Sequence, residues 1–486
     1  MMLQLKPARF RASSLDTLLG SCSALPFSIQ LKRSCIHQCK YTRIQLTFMS
    51  TQQARAGENA DLVVNGKSYQ KDAEQTNVPQ AILDLTDRHL HLNPKHPLGV
   101  LRSLIENKLN SVDQSFRTYN EFKPVVTVFE NFDSLGFPKD HPGRNKSDTY
   151  YINKNHLLRT HTSAHEMECF GNILQKKTHK PGYLITADVY RRDEIDKTHY
   201  PAFHQMEGAR IWSKDPAGKT QLKKDIEVLN KELEKIKNFT VEDCPYVEAT
   251  NPKQSYMSEE EVHLVSTHLK KTFELIVAEV FKKKLESEGK GNEEIKARWI
   301  EAYFPWTAPS WEIEVWWNGE WLELCGCGIV QEQVFVNAGM EKDSTIGWAF
   351  GLGLDRIAML LFGIPDIRLF WTRDPRFHEQ FQENTITTFK PYSKYPGTVR
   401  DVSFWKNPDL EIHENDLMEI VRSNAGDLVE SVKLIDSFVH PKTKKHSLCY
   451  RINYQSMDRN ITNDEINELQ EVVRNTLVER YGDKLR

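Results

Sequence analysis

Between Tyr183 and Trp212 the chain reads YLITADVYRRDEIDKTHYPAFHQMEGARIW, two runs whose apolar and polar residues alternate with the two-residue rhythm of strands. The turn-rich DEIDKTH segment between them predicts an antiparallel hairpin. Side chains two apart then point the same way, so Arg191 shares a face with Asp193, and Gln205 with Glu207. An unpaired ion on a half-buried sheet costs roughly several kcal/mol, which leaves an internal salt bridge or a charged ligand to satisfy this polar floor. Far downstream, Gly347 to Phe362 (GWAFGLGLDRIAMLLF) predicts an apolar strand, a glycine turn and a helix that buries Leu354, Ile357, Ala358 and Leu361. Arg356 falls in the first helical turn, where free N–H groups and the helix dipole favour an anion.

The remaining pattern fills in around these two stretches. Leu98, Leu101, Ile105 and Leu109 predict a helix opened by His96-Pro97, followed by a strand over Pro124 to Phe129. Leu157 to Glu166 reads as a strand end entering a helix, with Thr162 and Ser163 as N-caps. Residues 213–286 read as a Lys/Glu-rich insertion with Leu222, Ile226, Leu229, Leu233 and Ile236 at helical spacing and a second helical pattern over Val262 to Phe281, together an antiparallel helical pair with a solvated face. Aromatic-rich strands follow at Arg298 to Phe304, Trp311 to Trp317 and Trp321 to Cys325, the last two joined by Asn318-Gly319, a strong hairpin signal. On the third, Glu323 shares a face with Trp321 and Cys325 and needs a partner such as a substrate ammonium or a magnesium ion held by phosphates. From about Phe389 the order β-α-β-β-α-β predicts a ferredoxin-like α/β sandwich.

Composition narrows the class. A chain of 486 residues with 39% hydrophobic and 27% charged residues fits a soluble α+β protein of about three domains. No apolar run approaches a membrane span. A net charge of -3 excludes a generally basic RNA-coating surface, so nucleic acid must be met by local patches such as Lys442, Lys444, Lys445 and His446. The eight cysteines lack zinc spacing: Cys325 and Cys327 share a strand face, and Cys35 and Cys39 lie near the start. Residues 1–50 carry Lys6, Arg9, Arg11, Lys32, Arg33, Lys40 and Arg43 against Asp16 alone, with many serines, which is the composition of a mitochondrial transit peptide more than of a secretory signal. Met49 offers a second start.

Several of these runs resemble one family. YRRDEIDKTHYPAFHQMEG is similar to motif 2, and GLGLDR to motif 3, of the phenylalanyl branch of the class II aminoacyl-tRNA synthetases. LLRTHTSAH, AYFPW and EWLELCGCG resemble the same enzymes, and YSKYPGTVRDVSFW resembles the start of the anticodon-binding domain of their single-chain mitochondrial form. The likeness runs from about His96 to the C-terminus. It implies a class II antiparallel sheet flanked by helices over residues 51–385, an anticodon-binding domain over 386–486, and monomeric action in the mitochondrial matrix with no partner chain and no membrane. The helix after His96 and the Pro124–Phe129 strand would take the place of motif 1.

The resemblance also implies an activity and a site. Phenylalanine would attack the α-phosphate of ATP, and the adenylate would be passed to the 2′-hydroxyl of the terminal adenosine of tRNA(Phe). Arg191 is implied at the α-phosphate and Arg356 at the γ-phosphate, with Mg2+ accompanying ATP and no metal ligand assigned. His161, Ser163, Ala164, His165 and Glu166 are implied to line the amino-acid site. The rest of motif 2 supplies Thr198, His199, Tyr200, Gln205, Met206 and Glu207, with Glu323 as a further substrate-site residue. Phe350 and Phe304 stand against the phenylalanine ring, and Ala349 sets the pocket depth. Trp306 departs from the family's usual Phe-Pro-Phe. Tyr392 or Tyr395 is implied to stack on unpaired bases. Because an apolar pocket rejects one added hydroxyl only about a hundredfold, and no leftover segment is large enough for editing, uncorrected tyrosine charging is expected. Two alternatives remain: a catalytic α subunit needing a partner chain, against which the fused C-terminal domain argues, and a non-catalytic RNA-binding relative, which would lack ATP turnover. No HIGH-like or GxxxxGK[ST] sequence supports a class I synthetase or a P-loop enzyme.

Overall fold

A computed structural model describes residues 61–392, 395–410, 412–482 and 484–486; the expected leader and Met49 lie outside them. The main sheet has eight strands. In chain order they are β1 (Phe116–Tyr119), β2 (Gly182–Tyr190), β3 (Ala202–Ser213), β4 (Phe239–Glu242), β5 (Ile295–Phe304), β6 (Thr307–Trp317), β7 (Glu320–Val330) and β8 (Thr345–Gly353). In space they lie β1-β2-β3-β8-β7-β6-β5-β4. From β2 to β5 every pairing is antiparallel, and β1 and β4 add in parallel at the two edges. The β6–β7 turn explains part of this order: Asn318 and Gly319 take φ of 51° and 90°, the left-handed pair that a tight hairpin requires.

The longer helices of this part are α1 (Pro97–Val112), α2 (Glu166–Leu174), α3 (Pro216–Leu233), α4 (Glu259–Ser287) and α5 (Leu354–Phe362). Helices α1, α3, α4 and α5 share one core with the lower face of the sheet, and α2 packs on the upper face through Phe170, which meets Tyr183 edge-on. Helix α3 has the solvated face expected of the pair, burying only Leu222 and Leu229, but α4 does not. Helix α4 is buried along most of its length, with Phe273 against Phe350 at 4.6 Å and Phe281 against Trp317 at 5.2 Å. Its charges mislead because their stems are covered: Lys270 reaches out to Asp243 while its ammonium lies 4.9 Å from the Trp311 ring centre. The strand that follows α1 into the main sheet is β1, not Pro124 to Phe129. Val125–Thr127 pairs with His156–Leu158 in a separate small sheet, and Thr127 then caps a helical turn with Glu130.

The C-terminal part has strands β9 (Thr398–Trp405), β10 (Val429–Val439), β11 (His446–Tyr454) and β12 (Lys484–Leu485), with helices α6 (Glu414–Ala425) and α7 (Asn463–Tyr481). The sheet order β10-β11-β9-β12 is that of a ferredoxin-like sandwich. The β2–β3 loop reaches into this domain. Ile195 enters its core, the Ile195 carbonyl accepts from the Val432 amide at 3.1 Å, and Arg422 donates to the Asp193 carbonyl at 2.6 Å.

Candidate active site

Strand register decides which side chains form the floor. Ile185 stands opposite Glu207 and Ala187 opposite Gln205 on β2–β3. Glu207 stands opposite Gly351 on β3–β8, and Gly351 opposite Gly326 on β8–β7. Gly326 in turn faces Glu312, and Glu312 faces Ile300. One face of the sheet therefore carries Phe203, Gln205, Glu207, Ala349, Gly351, Gly326, Glu312 and Ile300. Its centre is bare. A Cβ on Gly351 would meet nothing within 4 Å, and on Gly326 the ring of Phe304 already fills that place, 2.5 Å from where a Cβ would stand.

Above Glu207 lies a turn of 3-10 helix, Thr162–His165, that leads into α2. Its hydroxyls do not cap the helix. Thr162 donates to Glu207 Oε2 at 3.1 Å, Ser163 donates to the same oxygen, and the Thr162 amide meets Gln205 Oε1 at 3.3 Å. Around this knot sit buried polar atoms with no hydrogen-bond partner: both carboxyl oxygens of Glu166, Oε1 of Glu207, both ring nitrogens of His161 and the hydroxyl of Tyr183. Such groups cost about 1–3 kcal/mol each when unmet, so their concentration in one pocket marks a site built for a polar ligand. Burial, opposed by the hydroxyl hydrogen bonds, raises the Glu207 pKa to about 7. Burial and the neighbouring Glu207 hold Glu166 well above the usual carboxylate range. Burial and Arg191 pull His161 down to about 3, so its imidazole is neutral. Its ring stacks on Phe137 at 5.6 Å and on Trp306 at 6.0 Å, and Trp306 stacks on Phe304 at 5.9 Å, so the indole forms an aromatic wall with Phe304.

Two arginines flank the other end of β3. Arg191 follows the end of β2, its amide bonded to the Pro201 carbonyl at 3.0 Å, and its guanidinium donates to the Thr160 carbonyl at 2.7 Å while lying 5.3 Å from the Phe203 ring centre. Arg356 is exposed in the first turn of α5. The preceding Asp355 accepts from the backbone amide of His204, which fastens this helix to the same stretch of β3. Neither arginine has a carboxylate partner among the described ion pairs. On the far side of the floor Glu312, Glu314 and Glu323 come together; burial and then the charges of Glu323 and Glu314 raise the pKa of Glu312.

Several expected residues lie elsewhere. Phe350 and Met206 point to the opposite face, as strand alternation demands beside Ala349 and Glu207, and both are buried in the core below the sheet. Cys325 is buried too and does not share a face with Glu323, because the register shifts between Ile313 and Glu314 and a bulge breaks the alternation. Arg191 does not share a strand face with Asp193, since β2 ends at Tyr190. Thr198 and His199 close the loop on Asp196, and Tyr200 donates to Asp427 of the C-terminal domain at 2.7 Å, away from the floor. Ala164 packs with Val126, Phe132 and Leu157. His165 stacks on Phe122 at 4.2 Å and meets Arg159 at 3.0 Å, so it shapes the wall without facing the pocket. The glycines of GLG are strand residues, not a turn. Reading the sequence missed Phe203, Tyr183 and Glu312, although the odd-numbered alternation through Gln205 and Glu207 already placed Phe203 on the floor.

An antiparallel platform with unpartnered arginines at one end, an acid cluster at the other and an appended ferredoxin-like domain defines a class II aminoacyl-tRNA synthetase. Accordingly, the family model for the tRNA synthetases class II core domain (F) matches residues 83–261 and 254–381, and that for the ferredoxin-fold anticodon binding domain matches 393–486. The mitochondrial phenylalanine–tRNA ligase of Saccharomyces cerevisiae is 62% identical over 446 residues, covering 87% of this chain and 94% of its own length. That of Mus musculus is 40% identical over 430 residues, covering 87% and 88%. A phenylalanine–tRNA ligase alpha subunit from Prochlorococcus marinus is 33% identical over 257 residues and covers only 53% of this chain and 56% of its own length. The chain belongs to the family of mitochondrial phenylalanine–tRNA ligases.

Proposed function

We propose that the protein activates phenylalanine with ATP and attaches it to tRNA(Phe) in the mitochondrial matrix, acting as a monomer. The observation that carries this reading is the pair of arginines, Arg191 and Arg356, both without carboxylate partners and both fastened to the same end of β3 beside Gln205 and Glu207. Arg191 meets the α-phosphate and Arg356 the γ-phosphate, while the Phe203 ring, on the floor next to Arg191, supports the purine. Glu207 and Gln205 take the amino acid's ammonium. Its ring runs along the bare strip toward Ala349, with Phe304 and Trp306 as the wall. One carboxylate oxygen of phenylalanine attacks the α-phosphorus, the bond to the bridging oxygen breaks, and pyrophosphate leaves. A hydroxyl of the terminal ribose then attacks the activated carbonyl and AMP departs. No side chain becomes covalently attached, so the acceleration comes from alignment and from charge placed where the phosphates gain it.

Glu312 and Glu323 fit a divalent cation: two carboxylates on one face with their charges opposed call for a positive partner, whereas Glu314 already has Arg298 at 2.5 Å. When bound, magnesium would neutralise phosphate charge. The open face of the C-terminal sheet suits unpaired RNA. Trp405 and Phe438 lie under the Arg486 guanidinium at 5.4 and 5.3 Å, beside the hairpin of Lys442, Lys444 and Lys445. Tyr392 packs on Phe389 and likewise carries Arg376 over its ring at 4.6 Å.

Pyrophosphate exchange measured with each of the twenty amino acids tests the reading. Exchange should depend on phenylalanine and fall below detection in Arg191→Ala, whose circular dichroism and melting should match the parent. Normal exchange in that variant removes Arg191 from the chemistry, and exchange driven best by another amino acid removes phenylalanine.

A further inference from the structure

Two carboxyl groups share the pocket above β3, yet a single ammonium is all that the proposed substrate offers them. Glu166 is 1% exposed at the start of α2, and Glu207 is 3% exposed on β3. Glu207 is provided for: the hydroxyls of Thr162 and Ser163 both donate to its Oε2. Glu166 has no donor on either oxygen. The Tyr183 hydroxyl faces both carboxyls, and the Cys169 thiol also lies near both. A buried carboxylate with no donor and no cation pays the full desolvation penalty, whereas the neutral acid does not.

Nothing on the surrounding elements supplies a compensating positive charge. His161, in the turn above, is held neutral by burial and by Arg191, and His165 by burial and by Arg159. Arg159 is committed to Asp188 at 2.7 Å, and Arg191 to the Thr160 carbonyl. Cys169, on α2, is pushed up by burial and by Glu207, Glu168 and Glu166 and stays neutral, and Glu168 is raised by burial and by Glu130, with Lys177 set against it rather than against the pocket. Tyr183, on β2, keeps its proton.

We infer that Glu166 is a positioning residue that serves as a neutral acid, so that the amino-acid pocket holds one anion, Glu207, matched to the one ammonium of the substrate. The inference rests on the proposed assignment of this pocket to phenylalanine. The proton on Glu166 lets the group donate a hydrogen bond as an amide would, and it leaves Glu207 alone to answer the ammonium. Both carboxyls ionised would place two negative charges against one positive charge in a site without water-like screening.

The test compares Glu166→Gln with Glu207→Gln in the full-length protein, reading KM for phenylalanine in pyrophosphate exchange from pH 6 to 8.5. Glutamine reproduces a protonated glutamate, so Glu166→Gln should raise KM for phenylalanine several-fold less than Glu207→Gln does. It should also keep the parent's rise in KM as pH falls through about 7, where Glu207 takes up its proton. Glu207→Gln should raise KM at least about tenfold, as for the loss of a charged hydrogen bond, and should flatten that pH dependence. Equal losses in the two variants would mean that both groups act as anions and would overturn the inference. No effect of Glu207→Gln would instead overturn the pocket assignment itself. Glu166→Ala adds a control for packing: it should raise KM without moving the pH midpoint, and a shifted midpoint also counts against the inference.

Discussion

The hydroxyl of Tyr200, at the end of the loop that carries Arg191, donates to the carboxylate of Asp427 in the C-terminal domain at 2.7 Å. It is one of several ties between that loop and the second domain. Arg422 makes another, donating to the Asp193 carbonyl and to Glu419, which also accepts from the buried hydroxyl of Tyr150. Arg422→Ala should therefore lower the unfolding free energy by about 2 kcal/mol, because Glu419 loses a charged hydrogen bond in a buried place while keeping the Tyr150 hydroxyl and Arg192 at 3.8 Å. Thermal melts followed by circular dichroism measure this, and limited proteolysis should show new cleavage between Arg191 and Pro201.

Gly351 separates binding from folding. It lies in a strand with no positive φ, and a methyl group on it would enter open space. Gly351→Ala should melt within about 0.5 kcal/mol of the parent, since surface-like changes away from packing cost little. The same methyl would stand on the substrate floor, so KM for phenylalanine or ATP should rise severalfold. A variant with unchanged kinetics would move the substrate off this strip.

Phe203→Ala should weaken ATP and spare the amino acid. Loss of one base-to-ring stack is worth about 1–3 kcal/mol, which corresponds to roughly a tenfold rise in KM for ATP. KM for phenylalanine should stay near the parent value. A rise in both constants would mean that the ring shapes the whole floor.

The stability of the free protein should depend on pH through Glu166. Its folded pKa is raised by burial and by Glu207, so the folded state resists ionisation while the unfolded state ionises at the ordinary value. As pH rises above that value the unfolded chain gains relative to the folded one. Glu166→Gln removes the difference. The variant should melt higher than the parent at pH 8 and close to it at pH 4.5, and a constant gap across that range would argue against a buried protonated acid.

How much of this was legible beforehand depended on range. Two-residue alternation placed Gln205 and Glu207 together, and the βαββαβ order of the C-terminal part was visible. Alternation also contained the correction for Phe350, because Ala349 and Phe350 are neighbours on β8 and cannot both face the ligand. Glu323 escaped it, since a bulge leaves no mark in the residue types of LELCG. Helix α4 looked solvated because lysines can be covered along their stems and still count as charges in a pattern. The contacts from Tyr200 to Asp427 and from Asp193 to Arg422 span more than two hundred residues, and no local signal announces them.

Ile195 belongs by sequence to the catalytic half yet is enclosed by Val402, Leu417, Val432 and their neighbours in the other half. Neither half is thus a self-sufficient parcel. Cutting the chain near residue 389 would bare an isoleucine on one fragment and open a hole in the other, and grafting the C-terminal portion of a distant relative would succeed only where that relative brings a matching socket.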